Sequence, residues 1–318
     1  MKKLAITAAA ALSALAAFSV WGAWVYEGQW GTSGTGNGQF RAPWGVAVAP
    51  TGNVYVSDHD NNCVQYFTPT GSFLGRWGSG GTGNGLFDGP AGMVVAPAGT
   101  VYVIDEGNHR VQYFTAQGSY LGKWGSFGSG NGQLFLPDGA AVAPTGNVYV
   151  ADSLNHRVQY FTATGSFLGK WGSYGTGDSQ FVMPCGLGVE AGGRVYVADT
   201  LNSRVQYFTS SGSLLGKWGM GESGTPWGIS IDAAGRVFVA DESNNEIQYF
   251  NASGSFLGKW GSYGSGDGQF NDPLHVALSP TGARLYVADS YNYRVQYFNR
   301  GEAHVAPTSL GNVKALFR

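Results

Sequence analysis

Residues 136–172 read LPDGAAVAPTGNVYVADSLNHRVQYFTATGSFLGKWG, and this stretch decides the fold. It contains four short runs of strand-forming residues, GAAVA, NVYVAD, RVQYFT and SFLGKWG. The segments between them, APTG, SLNH and ATG, have the composition of tight turns. Four short strands in a unit of about 40–50 residues are typical of one blade of a β-propeller.

The unit recurs along the whole chain. A Trp-Gly pair ends each copy, with 47 residues between successive pairs four times and then 42: Trp30, Trp77, Trp124, Trp171, Trp218 and Trp260. The sixth copy, from Phe270 to Phe298, supplies only three strands, and a matching fourth strand stands at residues 23–31. We therefore predict an all-β fold, a six-bladed β-propeller of four-stranded antiparallel blades. The N-terminal strand closes the last blade and so removes open sheet edges.

The composition supports short strands and argues against two classes of partner. The chain has 52 Gly and is 14% aromatic, which favours tight turns and aromatic packing. Its formal charge is −2 and only 12% of its residues are charged, so it lacks the basic footprint of a nucleic-acid-binding or membrane-surface protein. We expect no nucleic-acid partner.

The first residues have the pattern of an export signal. Lys2 and Lys3 precede an apolar stretch, and Ala14-Leu15-Ala16 fits the small-x-small cleavage rule. We predict a signal peptide at 1–22, the propeller at 23–299 and a C-terminal tail at 300–318. An uncleaved anchor that extends to residue 24 is the alternative. The mature protein is expected to be extracytoplasmic, either secreted or periplasmic, and monomeric, with no membrane insertion after signal removal.

The unit PxGVAVxPxGNVYVADSxNHRVQYF resembles the NHL repeat of exported bacterial six-bladed propellers. The segment that corresponds to Asn-His-Leu occurs as Asn108-His109-Arg110, Asn155-His156-Arg157, Asn202-Ser203-Arg204 and Asn292-Tyr293-Arg294. The resemblance implies several functions, because NHL propellers include bacterial sensor domains, RNA-binding modules of ubiquitin ligases and a zinc-dependent peptide-amidating lyase. Neighbouring six-bladed families include gluconolactonase-like calcium enzymes. The fold alone therefore does not select a function.

Residues present in every blade are interpreted as structural. An aspartate ends the second strand of each copy, where its carboxylate is expected to cap the following turn: Asp58, Asp105, Asp152, Asp199, Asp241 and Asp289. An arginine five residues later is expected to pair with it in four blades: Arg110, Arg157, Arg204 and Arg294. Cys63 and Glu246 occupy the arginine position in the other two blades.

Functional residues are expected where the blades differ. The tripeptide that begins each inner strand rings the channel mouth, and its middle residue varies from blade to blade: Trp44, Ala91, Asp138, Cys185, Trp227 and Leu274. Nearby turns carry Leu154, Leu201 and Tyr291, where polar residues are usual. Clustered apolar groups on one face indicate a contact surface. We predict ligand binding there by Trp44, Trp227, Asp138, His275, Leu154, Leu201 and Tyr291; the alternative is that the two tryptophans pack beneath loops.

An enzymatic site is the second hypothesis. Resemblance to the amidating lyase implies histidines around the channel, but the third tripeptide position is glycine in five blades and histidine only at His275. A catalytic zinc normally has three protein ligands. We therefore predict a binding module for a protein, peptide or glycan, with no catalytic residue, metal or cofactor. The alternative is a metal-assisted lyase or hydrolase in which Asp138 and Cys185 join His275.

The two cysteines are not expected to form a disulfide. Cys63 lies in the first repeat and Cys185 in the fourth, on opposite sides of a six-fold ring. A disulfide needs Cα atoms within about 7 Å of each other. Two free, partly sheltered thiols are predicted.

Overall fold

The computed structural model of the chain describes residues 23–221 and 223–301. They form six four-stranded sheets, and every pairing of neighbouring strands is antiparallel. In five blades the four strands follow one another along the chain from the axis outward. The predicted all-β six-bladed propeller is confirmed. The predicted signal peptide and most of the predicted tail lie outside the described residues.

The strands of the first three blades are given from the axis outward. Blade 1 consists of β2 (Pro43–Val48), β3 (Val54–Asp58), β4 (Cys63–Phe67) and β5 (Phe73–Trp77). Blade 2 consists of β6 (Pro90–Val95), β7 (Val101–Asp105), β8 (Arg110–Phe114) and β9 (Tyr120–Trp124). Blade 3 consists of β10 (Ala140–Val142), β11 (Val148–Asp152), β12 (Arg157–Phe161) and β13 (Phe167–Trp171).

The remaining blades have the same order. Blade 4 consists of β14 (Pro184–Val189), β15 (Val195–Asp199), β16 (Arg204–Phe208) and β17 (Leu214–Gly219). Blade 5 consists of β18 (Pro226–Ile231), β19 (Val237–Asp241), β20 (Glu246–Phe250) and β21 (Phe256–Trp260). Blade 6 consists of β22 (Pro273–Leu278), β23 (Arg284–Asp289), β24 (Arg294–Arg300) and β1 (Trp24–Trp30). Short 3-10 helices join the second and third strands in blades 3, 4 and 6: Ser153–Asn155, Thr200–Asn202 and Ser290–Asn292.

The first strand of the described chain closes the ring, as predicted. β1 pairs with β24 from Trp24 opposite Arg300 to Trp30 opposite Val295. An ion pair joins Glu27 of β1 to Arg284 of β23 at 2.6 Å. The inner strand β22 also contacts β2 of blade 1, so the ring of blades is continuous.

The core lies between neighbouring blades, where aromatic residues fill the widening wedge. The recurring Trp-Gly pair has a clear packing role. Trp30 lies against the turn of the next blade, where a Cβ on Gly71 would stand 2.7 Å from the indole ring. Gly71 also has a φ of +90°, so both the turn and the ring contact require glycine.

Asp152 shows the buried network that recurs in the blades. Its Oδ1 accepts the Phe135 N–H at 2.7 Å, and its Oδ2 accepts Arg157 Nε at 2.6 Å and Gln159 Nε2 at 3.0 Å. Asn155 Nδ2 donates to the same carboxylate at 2.9 Å. The four predicted Asp–Arg ion pairs are present: Asp105–Arg110, Asp152–Arg157, Asp199–Arg204 and Asp289–Arg294. In blade 5, Glu246 pairs instead with Lys259 at 2.9 Å.

One part of the prediction is wrong: these carboxylates do not cap the turn that follows in blades 3, 4 and 6. The 3-10 helices after Asp152, Asp199 and Asp289 receive no side-chain cap from them. The chain enters each inner strand through a proline that lies near the aspartate. Because this proline has no N–H, the N–H groups of the residues just before it need another acceptor. All six carboxylates therefore point back to the entry of the inner strand: Asp58, Asp105, Asp152, Asp199, Asp241 and Asp289.

Candidate functional site

The glycines at the channel mouth are required by the packing of blade on blade. A Cβ on Gly45 would stand 2.7 Å from the Ala91 carbonyl oxygen, and a Cβ on Gly92 would stand 2.6 Å from that of Asp138. Gly139 and Gly186 meet the next blade's backbone more closely still. A larger side chain at these positions would push the inner strands apart. The glycines are therefore structural.

A cavity of about 210 Å³ opens beside this ring. Blades 1 to 5 all contribute to its walls, which are formed by Trp44, Glu106, Leu136, Asp138, Ser153, Leu154, Met183, Cys185 and Trp227. The structure thus brings together four of the predicted ligand-binding residues: Trp44, Asp138, Leu154 and Trp227. His275 lies beside the cavity, next to Asp138, whereas Leu201 and Tyr291 lie outside its walls and are exposed.

The two tryptophans contact each other edge to face at the mouth. The Trp44 and Trp227 rings are 5.9 Å apart, with an angle of 75° between their planes. Trp44 also stacks on His59, with ring centroids 4.8 Å apart. Both indoles are half-buried and line the cavity.

Asp138 is the carboxylate at the centre of the site. It is only 4% exposed, and its Oδ1 accepts Trp227 Nε1 at 3.3 Å. His275 Nε2 stands 4.0 Å from the same oxygen. Within the described chain, Asp138 forms no ion pair with an arginine or lysine, and the buried Nε2 of His275 has no hydrogen-bond partner. The center of the site therefore holds a polar pair with unused bonding capacity.

A second carboxylate, Glu106, lies on the blade 2 side of the cavity. His59 Nε2 stands 3.5 Å from Glu106, and His59 Nδ1 stands 2.8 Å from Asp60. Burial alone would lower the pKa of His59, but bonds to Glu106 and Asp60 raise it to about 9. Burial raises the pKa of Glu106, with a smaller contribution from the charge of Asp138. His59 is therefore a cation at neutral pH and partners one of the two carboxylates.

Cys185 is a buried thiol in the floor of the cavity. Its Sγ donates to the Met183 carbonyl oxygen at 3.6 Å. Burial, together with the nearby charge of Asp138, raises its pKa well above the ordinary value. A protonated thiol is a poor nucleophile and a poor metal ligand, which weighs against a Cys–His catalytic pair. Cys63 and Cys185 are both free, as predicted.

Two apolar residues of the cavity wall have a left-handed backbone conformation, which is unfavourable for residues that carry a large side chain. Leu136 has a φ of +41° and Met183 a φ of +54°, and left-handed conformations are costly for side chains of this size. A histidine of the preceding blade stabilises each backbone: His109 Nδ1 accepts the Leu136 N–H, and His156 Nδ1 accepts the Met183 N–H, both at 3.2 Å. Gly89 and Asp272 have the same left-handed conformation directly before the corresponding proline of blades 2 and 6, so the conformation belongs to the repeat.

The central channel forms a separate cavity of about 200 Å³. Its walls are the inner strands of all six blades, and His275 is its one histidine among the described residues. Because His275 lines the channel and approaches Asp138, the pair stands between the channel and the Trp44–Trp227 cavity.

The same face carries exposed aromatic residues that the sequence analysis missed. Phe127, Tyr174 and Tyr263 are each more than 60% exposed. They lie in the loops between blades, and two of them contact turns of the same face: Phe127 is 5.1 Å from the His109 ring, and Tyr174 is 5.0 Å from the His156 ring. In the sequence, each of these aromatic residues directly follows Trp-Gly-Ser. The equivalent position after blade 1 is occupied by Gly80.

Two classes of feature are not found among residues 23–221 and 223–301. No group of three or more His, Cys, Asp or Glu side chains is arranged to hold a metal ion. No helix in these ranges has the length and apolar character that crossing a bilayer demands.

Comparison with known sequences finds the NHL repeat in four blades. The NHL-repeat family matches residues 40–67, 87–114, 136–161 and 224–250. E3 ubiquitin-protein ligase TRIM71 of rat and mouse is 46% identical over 43 residues, which is 14% of this chain and 5% of the ligase. The aligned length is therefore about that of one repeat, and the chain spans a small fraction of the ligase's length.

Solved structures with a similar shape include enzymes. A streptogramin B lyase superposes with a TM-score of 0.62 at 11% identity, over 87% of this chain and 98% of the lyase. A gluconolactonase of Xanthomonas campestris superposes with a TM-score of 0.64 at 15% identity, over 88% of this chain and 98% of the gluconolactonase. Identities this low establish the shared fold and leave the activity open.

Proposed function

We propose that this six-bladed β-propeller, which carries NHL repeats in four of its blades, is a binding module whose ligand docks on the channel-mouth face. The ligand is a protein, peptide or glycan. We further propose that the protein acts outside the cytoplasm, secreted or periplasmic, as a monomeric propeller. It recruits or senses its ligand and performs no chemistry on it.

The cavity lined by Trp44 and Trp227 carries this proposal. Two half-buried indoles border a cavity whose remaining walls are mostly apolar, with the Asp138 carboxylate at its base. Tryptophan is enriched among the residues that dominate interface energy. Binding sites characteristically combine apolar walls with a few well-placed polar groups.

The surrounding face extends the contact area. Phe127, Tyr174, Tyr263, Leu201 and Tyr291 are exposed at the loops and turns of the same face. Exposed apolar groups concentrated on one face mark interaction surfaces in soluble proteins. A ligand that fills the central cavity can therefore also contact this outer arc.

The experiment compares capture of ligands by immobilised protein and by two variants. Replacement of Trp44 and Trp227 by Ala should reduce the recovery of a specific ligand from the native extracytoplasmic fraction by about tenfold or more, as expected for hot-spot tryptophans. The matched control is Phe256→Ala, because Phe256 is an exposed aromatic on the outer strand of blade 5, away from this face. Equal recovery by wild type and the Trp double variant would refute the proposed site.

A metal-assisted lyase or hydrolase is the second candidate. The observation that favours it is the buried, unpartnered Nε2 of His275 beside Asp138, in a fold shared with a lyase and a gluconolactonase. Metal analysis of the purified protein separates the two functions. Stoichiometric zinc or calcium that disappears in His275→Ala would support the enzyme, whereas metal content unchanged by this substitution would count against it.

A further inference from the structure

We propose that the Trp44–Trp227 cavity accepts a single cationic side chain, a lysine or an arginine, presented by a protein or peptide partner. This inference rests on the proposed binding function and identifies the chemical group that the site recognises. Its physical basis is a cavity of limited size with two carboxylates, one of them without an arginine or lysine partner, and two aromatic walls.

The size of the cavity limits what can enter. Its volume is about 210 Å³, whereas pockets for whole small-molecule ligands typically measure about 300–1,000 Å³. A single extended side chain fits these dimensions better than a complete ligand. The rest of the partner must then lie on the surrounding face.

The charges at the base of the cavity select a cation. Asp138 is nearly fully buried, and within the described chain its carboxylate has one hydrogen bond, from the Trp227 indole, and no arginine or lysine partner, with His275 Nε2 4.0 Å away. Buried carboxylates in the blades are otherwise better satisfied; Asp152, for example, binds Arg157, Gln159 and Asn155. Burial of an under-satisfied charge is costly. A ligand ammonium or guanidinium would supply both the missing donors and the compensating charge.

Glu106 adds a second carboxylate to the wall of the same cavity. His59 neutralises part of its charge, but His59 itself is shared between Glu106 and Asp60. His275 Nε2 lies 4.0 Å from Asp138. The three carboxylates of Glu106, Asp60 and Asp138 therefore outnumber the two histidines beside them, His59 and His275. An anionic ligand group would meet this excess of negative charge, and a neutral group would leave Asp138 as it is.

The aromatic walls favour the same class of ligand. A cation placed against an indole face is stabilised by the negative potential of the ring. Trp227 is anchored by its bond to Asp138, and one face of Trp44 is already occupied by the cationic His59 ring, with centroids 4.8 Å apart. Leu136, Leu154 and Met183 can then pack against the methylene stem of the side chain.

The test uses the full protein and small probes. The probes are Nα-acetyl-lysine amide and Nα-acetyl-arginine amide, compared with Nα-acetyl-norleucine amide, which keeps the aliphatic stem but has no charge. Binding is followed by NMR through the indole N–H resonances of Trp44 and Trp227. We expect at least one cationic probe to shift both resonances with about tenfold higher affinity than norleucine, the factor that corresponds to ~1.4 kcal/mol.

Two variants test the role of the carboxylates. Asp138→Asn and Glu106→Gln should each weaken binding of the cationic probe severalfold and leave binding of norleucine unchanged. Glu242→Gln is the matched control, because Glu242 occupies the position of Glu106 in blade 5 but is not part of the cavity wall. Unfolding midpoints and the Trp44–Trp227 resonances of the free variants verify that the site remains folded.

The outcomes separate this inference from the proposed function. Equal affinity for norleucine and the cationic probes, or binding that is insensitive to Asp138→Asn, would overturn the cation assignment. The proposed function would still stand if ligand capture depended on Trp44 and Trp227. No shift of either indole resonance at saturating probe would also overturn the cation assignment, and loss of capture in the Trp double variant would then show that the face binds another chemical group.

Discussion

The indole N–H of Trp227 donates to the carboxylate of Asp138 at 3.3 Å, although the two residues lie in blades 5 and 3 with a whole blade between them in sequence. Trp44 of blade 1 contacts the Trp227 ring across the position of blade 6. The site therefore connects blades that share no sheet, and it exists only when the ring is assembled. Substitutions at the site can be distinguished from substitutions within one blade.

Removal of the carboxylate should destabilise the protein far more at Asp152 than at Asp138. Asp152→Ala leaves Arg157 buried without its carboxylate and should cost ~3–5 kcal/mol, the usual penalty for breaking a buried ion pair. Asp138→Asn removes a buried charge that has no arginine or lysine partner in the described chain, so its cost should stay below ~1 kcal/mol. Urea unfolding of both variants measures the difference, and a larger loss for Asp138→Asn than for Asp152→Ala would contradict it.

Leu136 and Met183 should show a separation between stability and binding. Leu136→Gly and Met183→Gly relieve a left-handed conformation that costs ~1–2 kcal/mol, which should offset much of the lost apolar contact. Blade 2 already has Gly89 at this position, with a φ of +60°. We expect unfolding free energies within ~1 kcal/mol of wild type but severalfold weaker ligand binding. Leu134→Gly is the destabilising control, because Leu134 lies in the core between blades 2 and 3.

Deprotonation of His59 should lower the free energy of unfolding at alkaline pH. Its pKa is about 9 in the folded protein, because bonds to Glu106 and Asp60 outweigh burial, and 6.5 is the ordinary value. A raised folded pKa means that the folded state holds the proton more tightly. The stabilisation is therefore complete below pH 6.5 and is lost as the pH rises through 9. Chemical unfolding of wild type and His59→Gln across this range should show a fall in stability that the variant lacks.

Asp272 should make the free energy of unfolding depend on pH in a lower range. Burial, followed by a hydrogen bond and charge repulsion from Glu242, raises its pKa to about 7 from 3.8. The folded state then binds more protons than the unfolded state, so this group lowers stability progressively as the pH rises from 3.8 to 7. Asp272→Asn should be more stable than wild type above pH 7 and should lose this slope.

The control for Asp272→Asn is Asp178→Asn. Asp178 is an exposed carboxylate bonded to Lys217, and that bond lowers its pKa. Its removal should not reproduce the gain above pH 7. Similar pH profiles for Asp272→Asn and wild type would show that the Asp272–Glu242 pair does not control stability.

The fold was predictable because each local signal occurs six times. Recurring Trp-Gly pairs, turn residues and strand patterns all indicate the same blade, and the incomplete last copy indicates its closure by β1. The Asp–Arg pairs followed from a constant spacing of five residues. The sequence did not predict that the carboxylates point back toward the inner strand. That direction depends on N–H groups about 17 residues earlier, at the entry of the inner strand.

The site was predictable only in part. Trp44, Asp138 and Trp227 share one register position in three blades and were found by comparing repeats. Glu106 and Met183 belong to other register positions, and only the convergence of blades at the axis places them beside the first three. Leu201 and Tyr291 were chosen for the turn position that they share with Leu154, but only Leu154 lines the cavity, whereas Leu201 and Tyr291 are exposed.

The pairing of β1 with β24 has a consequence for biosynthesis. Trp24–Trp30 leaves the ribosome before any blade exists, yet its hydrogen-bonding partner Arg294–Arg300 is the last strand of the propeller to be made. Contacts of such high sequence separation form late and slowly. The final blade can therefore be completed only after translation of the whole ring. Until then the earliest strand has no hydrogen-bonding partner. Chaperones that hold unfolded chains would matter most to this protein during that period.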